Sequence, residues 1–195
     1  MADIYLVGVG GQGIITASRI VGDAAILAGE NVLLSETHGM AQRGGSVICT
    51  ARIGDMSSPL IPDGQADVVL SFEILEAARA ACKASKKTLV VSSTERIVPL
   101  SASTQKQCYP TLEEVRASVL QYAKGFVPID APKLASEARA PMSSNLVMIG
   151  ALSGTGLTGL DREHFEKAIE TNIPRKLDEN LLAFAKGFDA VSKRA

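Results

Sequence analysis

The chain has 195 residues, 46% of them hydrophobic and 21% charged, and a formal net charge of -1. That balance suits one domain with a sizeable core and excludes a protein dedicated to nucleic acid, which would carry a strongly basic surface. Trp is absent and aromatic residues make up 4% of the chain, which also excludes base-stacking platforms.

The first residues, MADIYLVGVGGQG, carry Asp3 instead of a basic stretch, and the apolar run stops at glycines. This pattern predicts a buried strand over Ile4–Val9 and not a signal peptide. Ile14, Ala17, Ile20, Val21, Ala24 and Leu27 recur at helical spacing, so a helix is expected over Ile14–Leu27, stopped by Gly29 in a left-handed cap. Asn31–Leu34 reads as a second strand ending at Ser35-Glu36, which makes a βαβ unit with a right-handed crossover. Thr37–Gly45, polar and glycine-bearing, reads as a loop. Ser46–Ile53 and Ala66–Phe72 read as strands, Glu73–Lys83 as a helix and Thr88–Ser92 as a strand. Gln107–Tyr109 suits a short strand before Pro110. Thr111 is placed to cap a helix over Thr111–Tyr122, with Glu113 and Glu114 in its first turn. A strand over Phe126–Asp130 and a helix over Ala131–Ala140 follow.

After Pro141 the character changes. An apolar helix rich in small residues is expected over Ser144–Ser153, and a connector over Gly154–Gly159. Asp161 suits the cap of a helix over Arg162–Thr171, and a last amphipathic helix runs from Lys176 to about Val191. Stretches such as Leu146–Leu152 are too short and interrupted to span a bilayer, so a cytoplasmic location without membrane contact is expected. The fold class is therefore α/β. It is a Rossmann-like open, mostly parallel sheet with helices on both faces and a C-terminal helical segment. Residues 1–195 form a single domain, with the sheet core over 1–140 and the C-terminal helices over 141–195.

Cys49, Cys82 and Cys108 form no CxxC pair and no cluster with His38 or His164. Zinc and iron–sulfur sites need closely spaced thiolates or imidazoles, so each cysteine reads as a small buried or partly buried hydrophobe and no metal is assigned. His164, between Glu163 and Glu166 on a helix, reads as a surface residue.

Gly8-Val9-Gly10-Gly11-Gln12-Gly13 matches GxGxxG directly after a strand and at the opening of a helix. Such glycines permit a tight turn and close approach of a ligand to helix N–H groups. Glu36 lies near the ~20-residue distance expected of a ribose-binding acid. Three readings stay open for the loop: a dinucleotide site, a site for another anionic ligand or partner, or glycines that serve packing alone. Against an NAD(P)-binding oxidoreductase stand the lack of a clear second catalytic half and of any histidine in a hydride-transfer setting.

Ser35 through Val47 (SETHGMAQRGGSV) is the most informative stretch. It lies past the carboxyl end of the second strand, the edge where open α/β sheets bind ligands. It combines an acid, an imidazole, an amide and a guanidinium with glycines that let the backbone approach another surface. Arg43 is suited to grip a carboxylate or phosphate with its planar fork.

Gly-x-Gly-Gly-Gln-Gly followed by Glu-x-His-Gly-Met-Ala-Gln-Arg-Gly-Gly-Ser-Val resembles the gamma-domain family of the pyruvate/ketoisovalerate ferredoxin oxidoreductases. The Thr-His-Gly-Met form points to its indolepyruvate branch, where the corresponding chain is the beta subunit. Ser58-Pro59-Leu60-Ile61, Ala66-Asp67, Phe72-Glu73, Glu76-Ala77-x-Arg79, Asn145 through Gly150-Ala151, and Asn180-Leu181-x-Ala183-Phe184-x-x-Gly187 extend the likeness over nearly the whole chain. The related pyruvate and 2-oxoacid gamma subunits resemble it less.

The resemblance implies oxidative decarboxylation of arylpyruvates to arylacetyl-CoA, with thiamine diphosphate as electron sink, electrons passed to ferredoxin and coenzyme A as co-substrate. It places thiamine diphosphate, Mg and the iron–sulfur clusters on a large alpha subunit, with no cofactor bound tightly by this chain. The chain is then required for activity yet inactive alone, docks on the alpha subunit, and is expected to form a homodimer when isolated. The candidate ligand- or partner-contacting patch comprises Gly10, Gly11, Gln12, Gly13, Glu36, His38, Gln42, Arg43 and Gly44. His38 is read as an orienting hydrogen-bond partner and not as a base, and no catalytic residue is assigned.

Overall fold

All eight residues from Ala2 to Val9 are buried, and they form β1, the strand on which the rest of the fold is laid. A computed structural model describes residues 1–38, 45–98 and 109–193. After β1 come α1 (Ile14–Leu27), β2 (Val32–His38), β3 (Ser46–Ile53), β4 (Val68–Ser71) and α2 (Ile74–Arg79). They are followed by β5 (Leu89–Ser93), α3 (Leu112–Leu120), β6 (Gly125–Ile129), α4 (Ala131–Glu137), α5 (Ser144–Gly154), α6 (Arg162–Asn172) and α7 (Leu177–Ser192).

The six strands lie in the order β2-β3-β1-β4-β5-β6. β4, β5 and β6 are added in parallel on one side of β1, whereas β3 pairs antiparallel with both β1 and β2. The expected α/β class with a mostly parallel sheet is what forms. The expected β1–α1–β2 unit has its strands parallel, but β3 is inserted between them. Alternation along β1 divides the core. Ile4 and Leu6 join the large cluster under α1, α5, α6 and α7, while Tyr5 and Val7 join the smaller one under α2 and α3. Leu146, Ile149, Leu152, Phe165 and Phe184 sit in the same cluster as Ile4 and Leu6; α5 and α7 pack on the sheet, while α6 packs on α1.

Several boundaries differ from expectation for identifiable reasons. Thr37 and His38 belong to β2 and not to a loop, because they pair with Ile48 and Val47, and an edge strand tolerates polar residues. Glu73–Lys83 is not one helix. Glu73 is an extended N-cap accepting from Leu75 and Glu76, and Ala80–Lys83 tightens into a 3-10 turn. The Thr111 cap forms a full capping box with Glu114, but Asp161, although at the N-cap of α6, makes no side-chain cap bond. Gly29, at φ +79°, ends α1 as expected, with Gly29 N–H donating to Ile26 and Glu30 N–H to Ala25. Tyr109 is not in a strand, and Gln107 and Cys108 lie outside the described residues. Cys82 is exposed while Cys49 is buried. His164 is half-buried, and its Nδ1 is buried with no partner among the described residues, so the purely surface reading is corrected. Among the described residues no helix is long and apolar enough to cross a membrane.

α5 and α7 cross at backbone contact. A Cβ on Gly150 would overlap the Phe184 carbonyl, and one on Gly187 would overlap the Val147 carbonyl. Gly150→Ala or Gly187→Ala is therefore expected to cost about 3 kcal/mol and to lower the calorimetric midpoint by roughly 6–12 °C. Gly156→Ala, which meets nothing within 4 Å but sits at φ +68°, should cost about 1 kcal/mol.

Tyr5, beneath α2, has its phenol pushed up to about 12, first by burial and then by the negative charges that Cys82, Asp63 and Glu76 would bring near it. An unfolded tyrosine ionises near pH ~10, so between the two values the unfolded chain releases the proton first and unfolding is favoured. Relative to Tyr5→Phe, the native chain should lose about 2–3 kcal/mol as pH rises from 10 through 12. Urea titrations at pH 9 and pH 11.5 check this.

Candidate functional site

At the carboxyl end of β1 the chain turns on Val9–Gly13. Gln12 N–H donates to the Val9 carbonyl at 3.1 Å, and Gly11 (φ +106°) and Gly13 (φ +75°) take left-handed backbone that a side chain would strain. Gly13 is the N-cap of α1, and no side chain caps that end. The first N–H groups of α1 therefore open toward the edge of the sheet.

The turn is held by one side chain. Gln12 Oε1 accepts from Val9 N–H at 2.8 Å, while Gln12 Nε2 donates to the Phe72 carbonyl at 2.8 Å and to Glu95 at 2.9 Å. Its carboxamide thus joins the ends of β1 and β4 to the chain beyond β5. Gly8 makes room for it: a Cβ there would lie 2.8 Å from Gln12 Oε1 and 2.9 Å from Phe72 Cβ.

A cleft of about 300 Å³ opens beside the turn. Gly10, Gly11, Gln12 and Gly13 form one wall, Ser93, Glu95 and Ile97 a second, and Met142, Ser144 and Asn145 the third. Ser144 and Asn145 begin α5, so the N-termini of two helices, α1 and α5, meet there. Asn145 Nδ2 lies 3.5 Å from the Gly13 carbonyl, and a Cβ on Gly13 would come within 2.7 Å of it. The chain leaves β1 over one face of the sheet through α1 and leaves β4 over the other through α2. The cleft therefore lies at a topological switch point, where open α/β sheets place ligands.

Two buried acids support the rim. Glu73, 1% exposed, accepts from the N–H groups of Leu75, Glu76 and Ile97 and from the Tyr109 hydroxyl. Burial pushes its carboxyl above the usual range, partly offset by those N–H donors. Glu76, 2% exposed, accepts from Ser46 Oγ at 2.7 Å and from Arg79 at 2.5 Å. Ser46 opens β3, and the preceding Gly45 carbonyl accepts from Gly10 N–H at 2.9 Å.

Of the sequence-derived patch, Gly10, Gly11, Gln12 and Gly13 come together. Glu36 does not join them. It pairs with Cys49, which pairs with Leu6, three residues before the turn and two strands away. An acid on a strand adjacent to β1 would be about 5 Å away laterally, but the inserted β3 doubles that, so the dinucleotide geometry is not met. His38 ends β2 on the same carboxyl edge as the turn. Gln42, Arg43 and Gly44 lie outside the described residues. Sequence reasoning missed Glu95, Ser144 and Asn145 as wall residues. The one available signal was the Ser-Ser-Asn run at the start of an apolar helix.

The model of the pyruvate ferredoxin/flavodoxin oxidoreductase family matches residues 3–190. The chain belongs to that family. It is 42% identical over 194 residues to the indolepyruvate oxidoreductase subunit IorB of Archaeoglobus fulgidus, covering 98% of this chain and 96% of the relative. It is likewise 42% identical over 192 residues to the IorB subunit of Methanothermobacter thermautotrophicus, covering 98% of each. Among solved structures, the pyruvate oxidoreductase subunit PORC of Thermotoga maritima superposes with a TM-score of 0.74 at 23% identity, covering 96% of this chain and 95% of that one. That likeness shows a shared fold. The full-length likeness to these subunits makes the chain a small subunit of a 2-oxoacid oxidoreductase.

Gln12→Leu should remove three hydrogen bonds while keeping the volume, leaving Val9 N–H and the Phe72 carbonyl without their partner. We expect a loss of about 2–4 kcal/mol in urea unfolding, against less than about 1 kcal/mol for Asn145→Ala, whose contacts are longer.

Proposed function

We propose that this chain is the small subunit of an indolepyruvate:ferredoxin oxidoreductase, acting in the cytoplasm with a large alpha subunit that holds thiamine diphosphate, Mg and the iron–sulfur clusters. In the reaction so assigned, an arylpyruvate loses CO2 and its acyl group passes to the thiol of coenzyme A as a thioester. The two electrons released leave singly to two ferredoxins. Thiamine diphosphate supplies the electron sink for decarboxylation. The full-length likeness to subunits of that name carries this reading.

The chain's own part is to complete one wall of the site. The first-turn N–H groups of α1, with those of Gly11 and Gly13, favour negative charge at the cleft. A phosphate of coenzyme A, or an acidic group on the alpha subunit, suits that wall. Gln12 keeps the turn in place, and Asn145 sits against it from α5. Gln42, Arg43 and Gly44 lie outside the described residues, and the planar guanidinium of Arg43 is chemically suited to the same phosphate or acidic group. An NAD(P) oxidoreductase is disfavoured because β3 holds Glu36 away from the turn.

The test is co-expression with the alpha subunit and assay of ferredoxin reduction with indolepyruvate and coenzyme A. Activity should require both chains. Faster turnover of 2-oxoglutarate or pyruvate than of arylpyruvates would overturn the substrate assignment. Asn145→Asp sets a negative charge beside Gly13 at a helix start that tolerates it. With assembly intact, it should raise KM for coenzyme A about tenfold, equivalent to about 1.4 kcal/mol, with kcat little changed. Unchanged KM values in both Asn145→Asp and Arg43→Ala would place the anion site elsewhere.

A further inference from the structure

The sheet's two edges are built differently. β6, at one edge, is five residues long, contains Pro128 and has α7 packed against it. Those features prevent further pairing. β2, at the other edge, runs for seven residues with no proline and no lysine. Its hydrogen-bonding direction follows from its pairing with β3. Gly54 N–H donates to the Asn31 carbonyl at 2.8 Å, so residues 31, 33, 35 and 37 turn their backbone groups toward β3. Val32, Leu34, Glu36 and His38 therefore turn theirs outward, where no strand among the described residues lies.

The same edge carries apolar and charged surface on its α1 side. Leu34, 38% exposed, covers Gly22 of α1, and Ile26, one turn further along α1, is 64% exposed. Glu36 and Arg19 are both exposed on this side. α1 runs opposite to β2, since Gly22 lies against Leu34 while Ser18 lies against Cys49, the partner of Glu36.

We infer that β2 is the seam of a two-fold dimer, in which it pairs antiparallel with β2 of a second copy, residue 34 facing residue 36. This register uses all seven residues and matches outward-facing donors and acceptors with each other. It sets Glu36 of one copy level with Leu34 of the other, hence with Gly22 and one helical turn from Arg19. Arg19 on α1 then complements Glu36 of the other copy across the two-fold. The dimer leaves both glycine-turn clefts at the sheet's carboxyl edge, so the inference stands whichever 2-oxoacid the assembled enzyme takes.

Ser35 lies on the two-fold and in a non-hydrogen-bonded pair, where Cα atoms approach to about 4.5 Å, within disulfide reach. The full chain, with Cys82 and Cys108 changed to serine, is the material for the test. Sedimentation should find a dimer, and Ser35→Cys should cross-link it under mild oxidation, with Leu33→Cys, which faces residue 37, cross-linking at least tenfold more slowly. Glu36→Pro removes only an outward N–H and should yield a monomer with unchanged far-UV circular dichroism. A monomeric parent chain, equal cross-linking at both positions, or a dimer that survives Glu36→Pro in folded protein would each overturn the seam. Should Glu36→Pro fail to fold, the two cysteine variants decide.

Discussion

One primary amide ties the functional edge of this molecule together. Gln12 ends the turn after β1, and its side chain reaches back to Val9, across to Phe72 and out to Glu95. A carboxamide suits this position because it offers an acceptor and two donors on one planar group. A glutamate would lose both donors and face the Glu95 carboxylate. The clasp also explains Gly8, whose lack of a side chain lets the carboxamide lie against the strand. The glycine spacing that looks like a nucleotide motif therefore has a mechanical origin at two of its positions, Gly8 and Gly13. Gly11, whose Cβ would meet nothing within 4 Å, is needed for backbone freedom alone.

The insertion of β3 has wider consequences than a change in strand order. It carries β2 one strand further from β1, so His38 ends at the edge of the sheet while Gly45 meets the turn. Ser46 is then fastened to Glu76 on α2, across the opposite face. In a sheet with β2 adjacent to β1, an acid at Glu36 could meet a ribose. Here the acid is left at an edge, and its outward-facing backbone gives that edge a different use.

Much of the fold could be read from local pattern. α1 and β3 have the boundaries expected from helical and alternating spacing, because each has one clear buried face and strong end signals. What could not be read depended on long-range pairing. Thr37 and His38 look like loop residues and become strand only because Ile48 and Val47 face them. Glu73 looks like helix and becomes a cap because its carboxylate has buried N–H groups to satisfy. The candidate site divides the same way. The glycine turn was visible as a contiguous motif, while Glu95 and Asn145 reach it from positions 83 and 132 residues removed in hydrogen-bonded contact. Spacing along the chain carries no record of such contacts.

Asn145 reaches the turn because of packing on the far side of its helix. α5 is apolar nearly all round, with every residue from Leu146 to Ser153 buried. Such a helix must be enclosed, and α7 encloses it at backbone distance through Gly150 and Gly187. The close approach leaves no slack to shift α5 away from the sheet. Ser143 adds a second tether, its hydroxyl 2.7 Å from Asn180 Oδ1 on α7, so the first turn of α5 is fixed from behind. With α1 fixed by the Gln12 clasp and α5 by its fit to α7, the two helix starts face one cleft. Two positive helix ends held at close range repel each other weakly and are relieved by an anion between them. Glycine packing far from the cleft thus prepares it for negative charge.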